Sequence, residues 1–276
     1  MDNKNKKLLV SVVTVVLNGE KYIEQAILSV KNQDYPYIEH IVVDGGSTDK
    51  TLEIVKKYKE TYNIKWSSEK DKGAVDAINK GFDIAQGDIF CSLDSDDVYL
   101  PHTIKKVAAT FQSRPKADVV FGNSFLIDQY DRKIGYSVRT HFDFDMFLYL
   151  GMNITPQSAF WRREIHQKVN GMDRQYNICS DRDFFMRIAL ARGTFYHVRD
   201  FLSCYRLHQN QQTKNAELMN RENQKIFLVY APKNISANRI KYRKIKVLIK
   251  KTIALVSQGD AWYVLWAIGE RTNHGF

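Results

Sequence analysis

Apolar residues in the first half of the chain follow two alternating rhythms. Leu8 to Leu17 is a nearly unbroken, valine-rich run of the length and branching expected of a buried strand. After Asn18-Gly19, residues Tyr22, Ile23, Ala26, Ile27 and Val30 recur at intervals of three and four, the period of one helix face. Ile38 to Asp44 predicts a second strand. The turn Gly45-Gly46-Ser47-Thr48-Asp49 supplies flexible backbone and an N-cap for a helix through about Tyr62. Ile64 to Ser68, Val75 to Ala85 and Ile89 to Leu93 continue the series as strand, helix and strand. Such alternation predicts an α/β fold on a single, mostly parallel sheet flanked by helices. Ligands bind these sheets beyond the carboxyl ends of the strands, and Asn18, Asp44 and Asp94 all fall there.

The fourth predicted strand runs straight into Asp94-Ser95-Asp96-Asp97, three carboxylates within four positions. On extended backbone Asp94 and Asp96 project to the same side, where they repel unless a cation or a hydroxylated ligand lies between them. Hard oxygen donors with no adjacent Cys or His favour Mn²⁺ or Mg²⁺ over zinc. The competing reading is a solvated turn that caps the next helix, with Pro101 in its first turn. No G-x-x-x-x-G-K-[ST] loop and no G-x-G-x-x-G follow the predicted strands, which disfavours ATP hydrolysis and dinucleotide binding.

Charge changes the picture mainly at the C-terminal end. The 276 residues carry a formal net charge of +10, yet eleven Lys or Arg stand against Glu217 and Glu222 between Lys214 and Lys251, so the body is close to neutral. A basic appendage points to a docking surface and not to a basic catalytic face for nucleic acid. No segment approaches the roughly 18 apolar residues of a membrane span. The basic start Met1 to Lys7 is followed by a short β-branched run without a cleavage site, which predicts a cytoplasmic location. Cys91, Cys179 and Cys204, an odd number without metal-type spacing, predict reduced thiols.

Four segments in order carry a resemblance: Ser11 to Asn18, Ile41 to Thr51, Gly73-Ala-Val-Asp-Ala-Ile-Asn-Lys-Gly81, and Leu93-Asp-Ser-Asp-Asp97. Together they resemble the motifs of family 2 glycosyltransferases, over about residues 8–212. The resemblance implies a GT-A type fold with a Rossmann-like sheet, a nucleotide-sugar donor, Mn²⁺ or Mg²⁺ as cofactor, and inversion at the anomeric carbon. It implies that residues 1–213 form the catalytic domain, with a nucleotide-binding half over about 8–120 and an acceptor half over about 121–213. Residues 214–276 would then be a helical C-terminal extension. Asp44 and Asp76 would hold ribose and base beside backbone at Val15 and Val16. Asp94 and Ser95 would contact the donor, Asp96 would ligate the metal, and Asp94 would touch ribose or a metal-bound water.

Transfer also needs a carboxylate that takes the proton of the acceptor hydroxyl as the new bond forms. By resemblance Asp181 is that base, with Ser180 as the N-cap of its helix. The family commonly has a second acidic residue where this chain has Ser180, which leaves the choice between Asp181 and Asp183 open. Tyr205-Arg206-Leu207-His208 is similar to the family's closing Arg-x-His segment, so Arg206 and His208 are expected at the diphosphate or the metal. Asn153 to Ser158 is expected to precede an acceptor-side strand, with Pro156-Gln157 where the family often has His-Gln. The implied reaction moves a sugar, UDP-linked before GDP or dTDP forms, to a saccharide or lipid-linked acceptor in surface-polysaccharide assembly. The alternatives are a nucleotidyltransferase, which also uses paired aspartates and metal, and a basic nucleic-acid-binding protein.

A helical projection of Arg239 to Ser257 gathers Ile245, Leu248, Ile249, Thr252 and Val256 on one face, with Arg243, Lys244, Lys246, Lys250 and Lys251 over much of the other and Val247 as the exception. Trp262, Tyr263, Leu265 and Trp266 follow, an aromatic group suited to a membrane interface. Two readings stand side by side: residues 239–268 attach peripherally to an anionic inner leaflet, or the stripe packs on the catalytic body or on a second subunit of a homodimer. Nucleic acid is not an expected partner.

Overall fold

The computed structural model describes residues 7–62, 64–151, 153–209 and 211–274. Met1 to Lys6, on which most of the N-terminal reading rests, lie outside the described residues. The chain begins β1 (Val10–Val16), α1 (Ile23–Lys31), β2 (Ile38–Asp44), α2 (Thr51–Tyr62), β3 (Lys65–Ser68), α3 (Ala74–Ile84) and β4 (Ile89–Ser92). These are the elements that the two hydrophobic rhythms predict. It continues through β5 (Val98–Tyr99), α4 (Thr103–Ser113), β6 (Val119–Ile127), β7 (Lys133–Ser137) and α5 (Phe144–Leu150). Next come β8 (Ala159–Arg162), α6 (Arg163–Lys168), α7 (Ser180–Leu190) and β9 (Phe195–Arg206). Three helices close it: α8 (Ala216–Tyr230), α9 (Ala237–Ser257) and α10 (Ala261–His274).

The nine strands of the described residues join one sheet in the order β3-β2-β1-β4-β8-β6-β9-β5, with β7 on β6. The expected parallel arrangement holds for β3-β2-β1-β4. Beyond β4 the sheet is mixed, because β8 runs antiparallel to both β4 and β6 while β9 lies parallel to β6. Of the parallel strands, β1, β2 and β4 are buried on both faces, which is why they read as apolar runs, while the edge strand β3 is partly exposed. Val10, Val12 and Val13 of β1 and Ile41 and Val42 of β2 are fully buried. One side of the sheet packs Val13, Phe82, Phe90, Trp161 and Phe184 into a large core. The other packs Val10, Ile104, Val107, Phe111 and Phe160.

The first helix of the expected extension does not behave as an appendage. Glu222 and Ile226 of α8 are buried, and Ile226 forms a small core with Tyr176 and Cys179 at the start of α7. α8 thus packs against the segment leading into α7, across the expected 213/214 boundary. The aromatic group of α10 also docks on the body: Trp262 and Trp266 stand at 4.9 and 5.6 Å from the Tyr136 ring of β7.

Candidate functional site

A cleft of about 1000 Å³ opens at the carboxyl ends of β1 and β4. Its first wall is two loops laced together. After β1 the chain turns at Asn18 with φ of 51°, a left-handed conformation that Asn tolerates. There the Asn18 amide donates to Ser47 Oγ at 2.7 Å, Asn18 Oδ1 accepts from the Thr48 amide at 2.9 Å, and the Gly19 amide donates to Thr51 Oγ1 at 2.9 Å. Val15 and Val16 line the cleft as expected, beside Tyr22.

Asp44 and Asp76 have other tasks. Asp44, 1% exposed, accepts hydrogen bonds from the Gly46 and Ser47 amides, each at 3.1 Å, and from Ser68 Oγ at 2.7 Å. It is the acceptor that closes the Gly-Gly turn. Asp76 pairs with Arg174 Nε at 3.0 Å and Lys80 at 3.4 Å, and the Arg174 guanidinium first of all holds its carboxyl below the usual range. The two aspartates are expected at the ribose and base; in this structure neither is among the residues lining the cleft, and both carboxylates engage loop partners. Asp71 lines the cleft instead. A Cβ at Gly45 would stand 2.4 Å from Asp71 Oδ2, so the bare glycine backbone is what admits this carboxylate.

Across the cleft floor, single oxygens of Asp94, Asp96 and Asp97 come within 4.8 Å of one another. Their environments separate them. Asp97 is fully buried; Oδ1 accepts the Arg206 amide at 2.8 Å and Oδ2 has no partner. Burial first, then the neighbouring Asp96 and Asp94 charges, pushes its carboxyl well above the ordinary range. Asp94 opens into the cleft, yet protein encloses that floor, and desolvation followed by Asp96 and Asp181 pushes its pKa up to about 7. Asp96 Oδ2 meets His208 Nε2 at 2.8 Å, and the His208 ring stands 5.2 Å from that of Tyr22. Two crowded carboxylates with one imidazole make a donor set that fits Mn²⁺ or Mg²⁺. Asp96, Asp94 and His208 are the residues that would hold the ion.

Arg206 departs from expectation. Its side chain is fully buried, and its guanidinium donates to the Asp96 carbonyl at 2.7 Å, to Asp131 Oδ1 at 2.6 Å and to Gln25 Oε1 at 2.7 Å, while stacking 4.5 Å from the Tyr22 ring. Its planar fork is spent on protein partners, so in this structure it braces the Asp96 loop and Tyr22 and does not line the cleft. Ser95 does line the cleft.

The opposite wall carries Asp181, in the first turn of α7. Burial pushes its pKa up to about 6, against the opposing effect of the Arg182 amide, which donates to Asp181 Oδ1 at 2.6 Å. Asp183 is buried away from the cleft, accepting from Arg187 Nε at 2.7 Å and from the Tyr230 hydroxyl at 2.6 Å. Of the two candidates, only Asp181 faces the cleft. The expected Ser180 cap is absent: α7 starts after Cys179 with no side-chain cap of its own. Glu222 of α8 instead fixes the segment before the helix, accepting from the amides of Asn177, Ile178 and Cys179 at 2.8, 2.9 and 2.9 Å. Thr155, Pro156 and Gln157 line this half of the cleft together with Arg139, Met219 and Asn223.

The chain matches the family described as Glycosyl transferase family 2 over residues 11–181, and it belongs to that family. It is a glycosyltransferase, which displaces the nucleotidyltransferase reading. An uncharacterized glycosyltransferase of Mycobacterium tuberculosis is 30% identical over 186 residues, covering 66% of this chain and 69% of that protein. A PGL/p-HBAD biosynthesis glycosyltransferase of Mycobacterium bovis is 29% identical over 180 residues, 64% of this chain and 68% of its own length. Among solved structures, Staphylococcus aureus TarS 1-349 in complex with UDP superposes with a TM-score of 0.67 at 22% identity, covering 87% of this chain and 70% of that one. A mannosyltransferase from Pyrobaculum calidifontis in complex with GDP-Man and Mn²⁺ gives 0.63 at 17% identity, covering 100% and 78%. These last two likenesses establish the shared GT-A fold.

Proposed function

We propose that this chain moves a hexosyl group from a nucleoside diphosphate sugar, UDP-linked in the first instance, to a saccharide or lipid-linked acceptor, with inversion, in the assembly of a cell-surface glycan at the cytoplasmic side. The observation that carries this reading is one cleft with Asp94, Asp96 and His208 on its floor and Asp181 on the facing wall. The printed roles of the relatives support its finer parts: the mycobacterial protein is named for PGL biosynthesis, and the two structural neighbours hold UDP and GDP-Man.

In a single displacement, an acceptor hydroxyl oxygen bonds to the anomeric carbon from the face opposite the diphosphate. The carbon–oxygen bond to the diphosphate breaks, and its electron pair leaves with the nucleotide. Asp181, charged above about pH 6, takes the hydroxyl proton as that oxygen loses electron density. Val15, Val16, Tyr22 and Asp71 offer the nucleoside an apolar wall with one carboxylate acceptor. A divalent ion held by Asp96, Asp94 and His208 would supply positive charge against the departing diphosphate. The two carboxyl roles lie on separate elements, so departure and proton removal are served by different residues.

A panel of UDP-, GDP- and dTDP-sugars with Mn²⁺ or Mg²⁺, followed for nucleoside diphosphate release and for the configuration of any transferred sugar, tests the reading. One donor turned over with inversion supports it. Release from none of them, or a product of retained configuration, contradicts it.

A further inference from the structure

The helix α9 is attached to the body by the face that its hydrophobic pattern would not select. Val247, Ala254 and Leu255 are buried, Ile240 packs on the main core, and Lys250 and Arg243 pair with Asp143 and Asp145 around α5. At 100° per residue this leaves Tyr242, Ile245, Ile249, Ile253 and Val256 on the far side, each more than half exposed, with Leu248 half exposed at their edge. Arg239, Lys241 and Lys246 flank that stripe, exposed and without an ion pair among the described residues. Six large apolar side chains along one helix face, bordered by cations, form a surface that water alone does not favour.

Two observations choose the occupant. No helix of the described residues is long and apolar enough to cross a membrane, so an apolar contact made by α9 lies along a surface. A twofold pairing of two copies through this stripe would also set one basic flank against another, whereas anionic headgroups complement it. The aromatic group of α10 is not the docking element, because Trp262 and Trp266 pack on Tyr136.

We propose that α9 seats the protein on an anionic lipid bilayer, with Tyr242, Ile245, Ile249, Ile253 and Val256 at the headgroup–acyl boundary and Arg239, Lys241 and Lys246 against the headgroups. The chain of α5 ends at Gly151 on the cleft wall, and α5 is clamped to α9 through Asp143 and Asp145. Docking by α9 thereby holds the cleft at a set height and orientation above the lipid, where a lipid-linked acceptor would present its head. The seating itself does not depend on the transferase reading.

Flotation of the full chain with vesicles of phosphatidylcholine alone, or with a third phosphatidylglycerol, tests this. The native protein is expected to float with the anionic vesicles and to be released by salt. Ile245→Glu with Ile249→Glu should abolish flotation, and each of Arg239→Ala, Lys241→Ala and Lys246→Ala should weaken it roughly fivefold, the change that about 1 kcal/mol per basic residue corresponds to. All these side chains are exposed, so melting temperature and nucleotide binding should stay at native values in every variant. Absence of flotation on anionic vesicles, or equal flotation of native and Glu variants, overturns the proposal. So does a dimer in solution that the Glu pair converts to monomer without any lipid binding, which would assign the stripe to a second copy.

Discussion

His208 Nε2 and Asp96 Oδ2 meet at 2.8 Å although 112 residues separate them in the chain. The contact folds the segment after β9 over the carboxylate cluster and brings an imidazole to a floor otherwise made of carboxylate oxygen. Replacing His208 by Ala removes one donor and leaves Asp94 and Asp96 facing each other. The Mn²⁺ needed for half-maximal nucleotide binding should rise by about tenfold or more, with the melting temperature nearly unchanged. Calorimetric titration of metal and nucleotide checks this; an unaltered metal requirement would mean that His208 only hydrogen-bonds Asp96.

In the proposed mechanism Asp181 sets the acid limb of the rate profile. Its folded pKa of about 6 lies above the ordinary carboxylate value, and a general base works only when deprotonated. Activity should therefore be lost as pH falls through about 6 and level off above it. Asp181→Asn should lower kcat by about 10²–10⁴ with nucleotide affinity retained. The stability effect has the opposite sense. Because the folded pKa is raised, the protonated form favours the fold, and that stability is fully present below the unfolded value and lost as pH rises through about 6. The same Asn variant should thus melt at a higher temperature than the native protein at neutral pH, which differential scanning calorimetry measures.

Glu222 tests whether α8 belongs to the catalytic unit. Its carboxylate accepts from three consecutive amides that lead into α7 and Asp181. Glu222→Ala leaves three buried or part-buried N–H groups without their acceptor, and should cost about 1–3 kcal/mol of stability. Glu222→Gln keeps the shape and weakens the bonds; it should reduce kcat several-fold while KM for the donor stays constant, since the donor wall is untouched. A change confined to KM would place the effect elsewhere.

Arg206 gives the contrasting outcome. Its buried guanidinium satisfies the Asp96 carbonyl, Gln25 and Asp131, so Arg206→Ala should destabilise by about 2–3 kcal/mol and drop the melting temperature by several degrees. Arg206→Lys should recover little, because one ammonium cannot reproduce the fork. A variant of native stability with donor binding lost would restore the diphosphate role.

The nucleotide half was legible because parallel strands buried on both faces print long apolar runs, and because Val15, Val16, Asp94 and Asp96 stand at strand ends where ligands gather. The other half hides its logic. β5 is two residues long, and β9 alternates burial too weakly to read as a core strand. Asp71 sits in Glu69-Lys-Asp-Lys72, which by local composition is a solvated loop, and only its approach to Gly45 from 26 positions away reveals it. Glu222 looks like one charge on a helix face, since its three donors lie 43 to 45 residues upstream. Arg206 and His208 read as one unit in the sequence, but β9 ends at Arg206, so strand alternation does not carry across to His208, and one side chain turns into the core while the other reaches Asp96. The apolar stripe of α9 was visible in the helical projection; that it faces outward was not, because the clamp to Asp143 and Asp145 is tertiary.

The most direct test of the site is binding of UDP, GDP and dTDP to the native protein and to Asp96→Ala, with and without Mn²⁺, by isothermal titration. One nucleotide is expected to bind in a metal-dependent manner, with that dependence lost in the variant. Binding of equal strength with and without metal, or in the native protein and the variant alike, would contradict the assignment of Asp94, Asp96 and His208 as the ion's ligands.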